Sequence, residues 1–336
     1  MSIITLGLVG AGRIGRVHAR TLAQMLPDAH LLAITDVNSA AAEQVAADCG
    51  IAQVAADYDA LLADERIQAV VICSATDTHA PFIIKAAQAG KHIFCEKPIA
   101  ADLDLIDEAL AAVDAAGVHL MIGFNRRFDP NHARIRQAIT QGEIGTPHLL
   151  HIISRDPAPP PAAYVRVSGG MFFDMTIHDF DMARFLLGDI DEVYAAGGVM
   201  IDPEIGAAGD IDTALVTLRF ASGALGTIDN SRKAVYGYDQ RVEVFGSAGS
   251  ASSGNLYADA VTLSTAESVR RGLPLNFFMD RYIPSYQAEM AAFIGALQAG
   301  TPPPVTGADG RAPVIAAMAA QRSLRENRPV KLAEIV

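Results

Sequence analysis

An apolar, β-branched run from Ile3 to Val9 passes directly into Gly10-Ala11-Gly12-Arg13-Ile14-Gly15 and then into the amphipathic stretch VHARTLAQML. Few architectures accept a strand, a glycine turn and a helix in such close succession. In the one that suits them best, the first glycine makes the turn, the second lets backbone approach a phosphate, and the third lets the helix pack on the strand. The helix then points its free backbone amides at a diphosphate. A second strand, His30 to Thr35, ends at Asp36, twenty-one residues after Gly15. An acid at that tip binds both ribose hydroxyls and repels a 2′-phosphate, so the spacing predicts NAD as cofactor in preference to NADP.

Strand and helix patterns keep alternating after that turn. Helices are expected over Ser39 to Cys49, Tyr58 to Ala63, His79 to Ala89 and Leu103 to Ala116, with strands over Ala69 to Cys73, His92 to Cys95 and His119 to Ile122. Continuous apolar strands such as VVIC and HLMIG suit a parallel sheet buried on both faces. The fold class predicted is α/β, with an N-terminal doubly wound Rossmann domain over residues 1–123. Ligands in such sheets bind beyond the carboxyl ends of the strands. One such end, Ser74-Ala75-Thr76, offers small polar groups to the adenosine and diphosphate side, and His79 opens the helix that follows. Another, Glu96-Lys97-Pro98, carries a lysine held by a proline whose φ is fixed. At the cofactor end of this sheet Lys97 is expected to hydrogen-bond a substrate hydroxyl and help carry a proton. Glu96 is expected to pair with Lys97 or to contact the nicotinamide ribose. The third end is Asn125-Arg126-Arg127.

Beyond Arg127 the pattern changes. His148 to Arg155, Glu192 to Met200, Asp212 to Phe220, Ala224 to Asn230 and Gln240 to Phe245 read as strands separated by turn residues. Residues 124–336 are therefore expected to form a C-terminal α+β domain with a large, mostly antiparallel sheet and helices on one face. The other face needs a cover, so a homo-oligomer is expected. Pro157 to Pro161 reads as a stiff extended loop.

Ser168 to Gly188, SGGMFFDMTIHDFDMARFLLG, reads as helix and places Asp174 and His178 four residues apart, on one face at that spacing. A carboxylate that orients an imidazole is the arrangement needed to take a proton from an alcohol near neutral pH. The same two residues also suit a structural hydrogen-bonded pair, or a satisfied core histidine. Asp179 and Asp181 raise the option of a metal, but no second histidine or cysteine stands at ligand spacing nearby, so no metal is expected.

The formal charge of -12 and pI near 5.1 disfavour a nucleic-acid binder, which needs clustered lysine and arginine. Cys49, Cys73 and Cys95 form no CxxC pair and read as reduced residues of a cytoplasmic protein. The apolar start lacks a basic flank and a cleavage site, and no run reaches the length of a membrane span.

The segments GAGRIGRVHA, CEKPIA, GFNRRFDP and GGMFFDMTIHDFDMARFLLG, in that order, resemble the glucose-fructose oxidoreductase, inositol dehydrogenase and rhizopine catabolism (Gfo/Idh/MocA) family across essentially the whole chain. Gly209 to Ser252 is similar to the inositol 2-dehydrogenase branch of that family. The resemblance implies oxidation of a cyclic polyol, inositol, by NAD, with Lys97, Asp174 and His178 as catalytic residues, His178 accepting the hydroxyl proton and Asp174 serving as its partner. It further implies that Arg127, Asp156 and Tyr236 line the polyol pocket, and it favours a tetramer. A ring of hydroxyls needs several convergent polar groups around one base, in keeping with that set. Another inositol isomer, a pyranose sugar, or a non-catalytic NAD-dependent sensor are the alternatives, since fold alone does not assign activity. The sequence leaves open whether Asn276 or Tyr282 reaches the site.

Overall fold

The computed structural model describes residues 2–336, in two compact units. The first runs to Phe128 and takes in Ile283–Ala312; the second comprises Asp129–Tyr282 and Pro313–Val336.

In the first unit the elements follow as β1 (Ile4–Val9), α1 (Arg13–Gln24), β2 (Ala29–Thr35), α2 (Ser39–Cys49), β3 (Gln53–Val54), α3 (Tyr58–Ala63), β4 (Ala69–Ile72), α4 (His79–Gln88), β5 (His92–Glu96), α5 (Leu103–Ala116) and β6 (Leu120–Gly123). The sheet is wholly parallel in the order β3-β2-β1-β4-β5-β6, which is the doubly wound order. Its central strands are mainly apolar because both faces are covered: Leu6, Leu8, Val70, Val71, Ile72, Ile93 and Phe94 are fully buried. Polar caps set the helix starts. Asn38 accepts from the Ala41 amide, Asp57 from Ala60 and Asp102 from Asp104, each worth about 1 kcal/mol. Helix α1 differs, beginning at Gly12 with no side-chain cap. Residues 283–312 belong to this unit through close contacts: the Ile122 amide donates to Val305 O at 3.1 Å, and the rings of Phe94 and Phe293 lie 5.8 Å apart.

The second unit contributes α6 (Pro130–Thr140), β7 (Pro147–Arg155), α7 (Ala162–Val165), α8 (Met171–Asp174), α9 (Ile177–Leu187), β8 (Ile190–Gly198), α10 (Pro203–Ala207), β9 (Thr213–Phe220), β10 (Leu225–Ser231), β11 (Asp239–Gly246), β12 (Gly249–Ser253), and a small hairpin of β13 (Thr262–Ser264) and β14 (Val269–Arg271). Two long helices, α11 (Phe278–Ala299) and α12 (Gly307–Glu326), and a short β15 (Val330–Lys331) complete the chain. The large sheet runs β12-β11-β7-β10-β9-β8-β15. Within it only β7 and β10 pair in parallel. Alternation is clean, as in β9, where Ala214, Val216, Leu218 and Phe220 are buried and Leu215, Thr217 and Arg219 are exposed. Leu149, Leu215, Leu225 and Phe245 therefore stand exposed on the opposite face.

The stretch from Ser168 to Gly188 is not one helix. It breaks between α8 and α9 at Met175 and Thr176, because the Thr176 amide bonds back to Met171 O at 3.0 Å and its hydroxyl donates to Asn230 Oδ1 at 2.6 Å. Asp174 thus ends one short helix, and His178 stands in the first turn of the next.

Candidate active site

In the first unit the glycine turn has the geometry a diphosphate needs. Gly10 has φ of +106°, and a Cβ there would lie 2.4 Å from Cys73 O; a Cβ on Gly15 would lie 1.9 Å from Gly10 O. A Cβ on Gly12 would meet nothing within 4 Å. Two glycines are thus required by packing, whereas Gly12 leaves an open cradle at the uncapped start of α1, and the residues present fit an anionic diphosphate. Arg13 and Ile14 follow in the first turn of α1. Asp36, at the end of β2, accepts the Ala11 amide at 2.6 Å on Oδ2 and the Asn38 amide at 2.8 Å on Oδ1. Each of its oxygens keeps acceptor capacity for a ribose hydroxyl.

At the end of β4, Ala75 and Thr76 are exposed, while the Ser74 and Thr78 hydroxyls lie 2.6 Å apart. His79 is turned inward and buried. Its Nδ1 lies 2.7 Å from Pro98 O and its Nε2 3.1 Å from Ser74 O, so the ring sits between the ends of two strands, and in its neutral form its single N–H donates to one of the two carbonyls. Burial pulls its pKa below the ordinary 6.5, outweighing the opposite pull of those two carbonyls.

Glu96 closes β5 and receives a hydrogen bond from His18 of α1, with Nε2 to Oε1 at 2.7 Å. The His18 ring is edge-on to Phe94 and Tyr286. With Glu289 of α11 these side chains place ligand-type atoms within 4.8 Å of one another, and the imidazole–carboxylate hydrogen bond accounts for the closest pair. Lys97 follows, joined to Pro98 by a cis peptide bond. Arg127 is buried, with Nη2 3.3 Å from Asp309 Oδ1. Desolvation raises the pKa of Cys73 and Cys95 well above the thiol's ordinary value, which disfavours the thiolate form of each.

In the second unit both oxygens of Asp174 are engaged. The Tyr164 hydroxyl donates to Oδ1 at 2.9 Å and Arg232 Nη1 donates to Oδ2 at 3.2 Å. His178 is half-buried and its Nδ1 is shielded from solvent. The helix that carries it is pinned from below. Asn230 Nδ2 donates to Asp179 Oδ2 at 2.8 Å, and Asp179 and Asp181 are fully buried. Asp156 lies just past β7, where its amide donates to Ser231 O and its carbonyl accepts from Ala234. The Tyr236 hydroxyl donates to Asp239 Oδ2 at 2.5 Å and accepts from Arg155 Nη1 at 3.1 Å. Asp239 is buried, but bonds from Arg241, Tyr236 and Asn255 outweigh that burial and hold its carboxyl below the usual range. Tyr282 is buried, edge-on to Tyr238, whereas Asn276 is exposed.

Sequence reasoning did not find Tyr164, Arg232 or Asp210 around Asp174, nor the pairing of His18 with Glu96. Arg232 follows a strand and Tyr164 a proline-rich loop, and no local spacing connects either to Asp174. A buried arginine was the one signal available, and it shows only in three dimensions.

Comparison with known proteins gives two family matches, together spanning most of the chain. An oxidoreductase family model with an NAD-binding Rossmann fold matches residues 4–124, and a GFO/IDH/MocA C-terminal domain model matches residues 132–252. The chain is 48% identical over 332 residues to a myo-inositol 2-dehydrogenase of Thermotoga maritima, covering 98% of this chain and 99% of that one. It is 46% identical to an inositol 2-dehydrogenase of Rhizobium meliloti, covering 98% and 99% respectively. Among solved structures, a scyllo-inositol dehydrogenase of Lactobacillus casei with bound NAD(H) and scyllo-inositol superposes with a TM-score of 0.92 at 30% identity, covering 99% of this chain and 100% of that one.

Proposed function

Because the chain belongs to the GFO/IDH/MocA family of NAD-binding oxidoreductases, we propose that it oxidises myo-inositol to 2-keto-myo-inositol. One observation carries the reading: on an NAD-binding fold, a lysine follows a strand end, and an imidazole follows by four residues a carboxylate that is held in place, in a chain 48% identical to a myo-inositol 2-dehydrogenase.

When bound, NAD supplies the hydride acceptor. His178 accepts the proton of the reacting hydroxyl, and Asp174 orients and polarises its imidazole. Lys97 hydrogen-bonds the same hydroxyl and helps to carry its proton. The bond from His18 to Glu96 steadies the main chain just before that lysine. The glycine turn from Gly10 to Gly15, with Arg13 and Ile14, holds the diphosphate, and Asp36 holds the ribose hydroxyls. Ser74, Ala75 and Thr76 line the adenosine side, His79 holds their backbone, and Glu96 stands toward the nicotinamide ribose. Arg127, Asp156 and Tyr236 bind the remaining hydroxyls of the ring, a charged and hydroxylated set suited to a polyol.

Likeness to a scyllo-inositol dehydrogenase favours a second reading at the same site, oxidation of that isomer. Mixing the protein with NAD and a panel of inositols and aldoses, and following the absorbance of reduced nicotinamide, tests both. The expected result is a high initial rate with myo-inositol. The reading fails if myo-inositol is not among the good substrates, and the absence of reduction with every polyol favours a non-catalytic sensor.

The exposed sheet face also supports a homo-oligomer, a tetramer by family resemblance. Leu149, Tyr194, Thr217 and Leu225 line a shallow groove of about 410 Å³ on it, and an apolar sheet face of this kind needs a partner.

A further inference from the structure

We propose that Arg232 and Asp210 are positioning residues that set the direction of the Asp174 carboxylate through a closed ring of bonds, an inference resting on the role just given to Asp174 as partner of the base. Helix α8 is a single turn, Met171–Asp174, and a turn that short has no stability of its own. Something else must hold Asp174 at its end. Asp210 does so from both sides. Its Oδ1 accepts the Met171 amide at 3.0 Å, capping the start of the turn. Its Oδ2 lies 3.4 Å from Arg232 Nη2, and the other arm of the same guanidinium, Nη1, reaches Asp174 Oδ2 at 3.2 Å. The ring therefore runs from carboxylate to helix start, through the helix to the second carboxylate, and back through the guanidinium.

Each member is built into the fold. Arg232 is 1% exposed and its amide donates to Asp212 O at 2.9 Å. The Asp212 carboxylate in turn accepts the amides of Met200, Ile201 and Asp202. Gly170 has φ of +86°, and a Cβ there would lie 2.9 Å from Asp210 Oδ1, so the approach of that carboxylate to the helix start depends on glycine. Arginine suits the central place because its planar fork reaches two carboxylates at once, which an ammonium cannot do with the same fixed geometry. The ring and Tyr164 hold both oxygens of Asp174, so the direction of its carboxylate is set before any substrate arrives, which is what preorganisation beside a base requires.

Removing the guanidinium outright would leave Asp174 and Asp210 facing each other without compensation, so the test uses Arg232→Lys and Asp210→Asn, with Asp210→Glu as the conservative rescue. With myo-inositol as substrate, Arg232→Lys and Asp210→Asn are expected to lower kcat roughly 10- to 100-fold, the size of loss that misplacement by about an ångström produces. KM and calorimetric Kd for NAD should stay unchanged, and Asp210→Glu should recover part of the rate. Wild-type kcat in both variants, or a loss matching only the fraction of unfolded protein, overturns the proposal. Crystal structures of wild type and Asp210→Asn keep the test independent of the substrate assignment. If wild type reduces no NAD with any polyol, that reading fails by itself, and the ring is still decided by whether the Asp174 carboxylate has swung away in the variant or has stayed in place.

Discussion

On the proposed function, Asp36 serves cofactor choice and His178 the chemistry, and single substitutions should separate them. His178→Ala is expected to lower turnover by roughly 10²- to 10⁴-fold, the range for loss of a general base, with little change in the affinity for NAD. Asp36→Ala should instead raise the apparent constant for NAD roughly tenfold or more, as loss of charged hydrogen bonds does, and admit NADP. Steady-state kinetics with both cofactors checks the pair, and equal effects of the two substitutions on cofactor affinity would contradict the division. The placement of Asp36 at the end of β2 and of the three glycines in the turn was legible because a strand, tight turn and helix in close succession permit few residues and set their spacing. Arg232 and Tyr164 were not. Their relation to Asp174 spans 58 and 10 residues and comes from tertiary packing, which no local period records.

At the scale of the element, helices α2, α3 and α5 begin and end where the sequence predicts, because capping residues and glycines mark their limits. The segment around His178 departs from its helical pattern for the opposite reason: Thr176 finds a buried partner in Asn230, and tertiary bonding overrides propensity there. The join between the ends of β4 and β5 has a signature in pH. Burial holds the pKa of His79 below 6.5, so between its folded value and 6.5 the unfolded chain carries more protons. Its contribution is complete above about pH 6.5 and is lost as pH falls through the folded value. The melting temperature followed by calorimetry should therefore fall on acidification below about pH 6.5, and His79→Gln should melt lower at neutral pH but with a shallower slope. Parallel slopes in the two proteins would rule out His79 as the source.

For the molecule as a whole, the exposed apolar residues on the large sheet carry the expectation of self-association. Leu215 is 61% exposed in the middle of β9, and a charge there is expected to block a sheet-to-sheet contact while leaving the core untouched. Leu215→Glu should elute as a smaller species than wild type by size-exclusion chromatography with light scattering, with an unchanged far-ultraviolet circular dichroism spectrum. An unchanged mass would place any interface elsewhere. No helix among the described residues is long and apolar enough to cross a membrane.

The division of the chain has a temporal consequence. The six parallel strands are all made by Gly123, yet Ile283–Ala312 is also part of that unit, and it brings Phe293 against Phe94 and Gly310 against Ile99 and Ile122. On the ribosome the first unit to emerge must wait for about 160 further residues before its core can close, at a typical synthesis speed roughly ten seconds or more. A nascent chain halted at residue 282 would hold every strand of the nucleotide sheet and still expose apolar surface to chaperones and proteases.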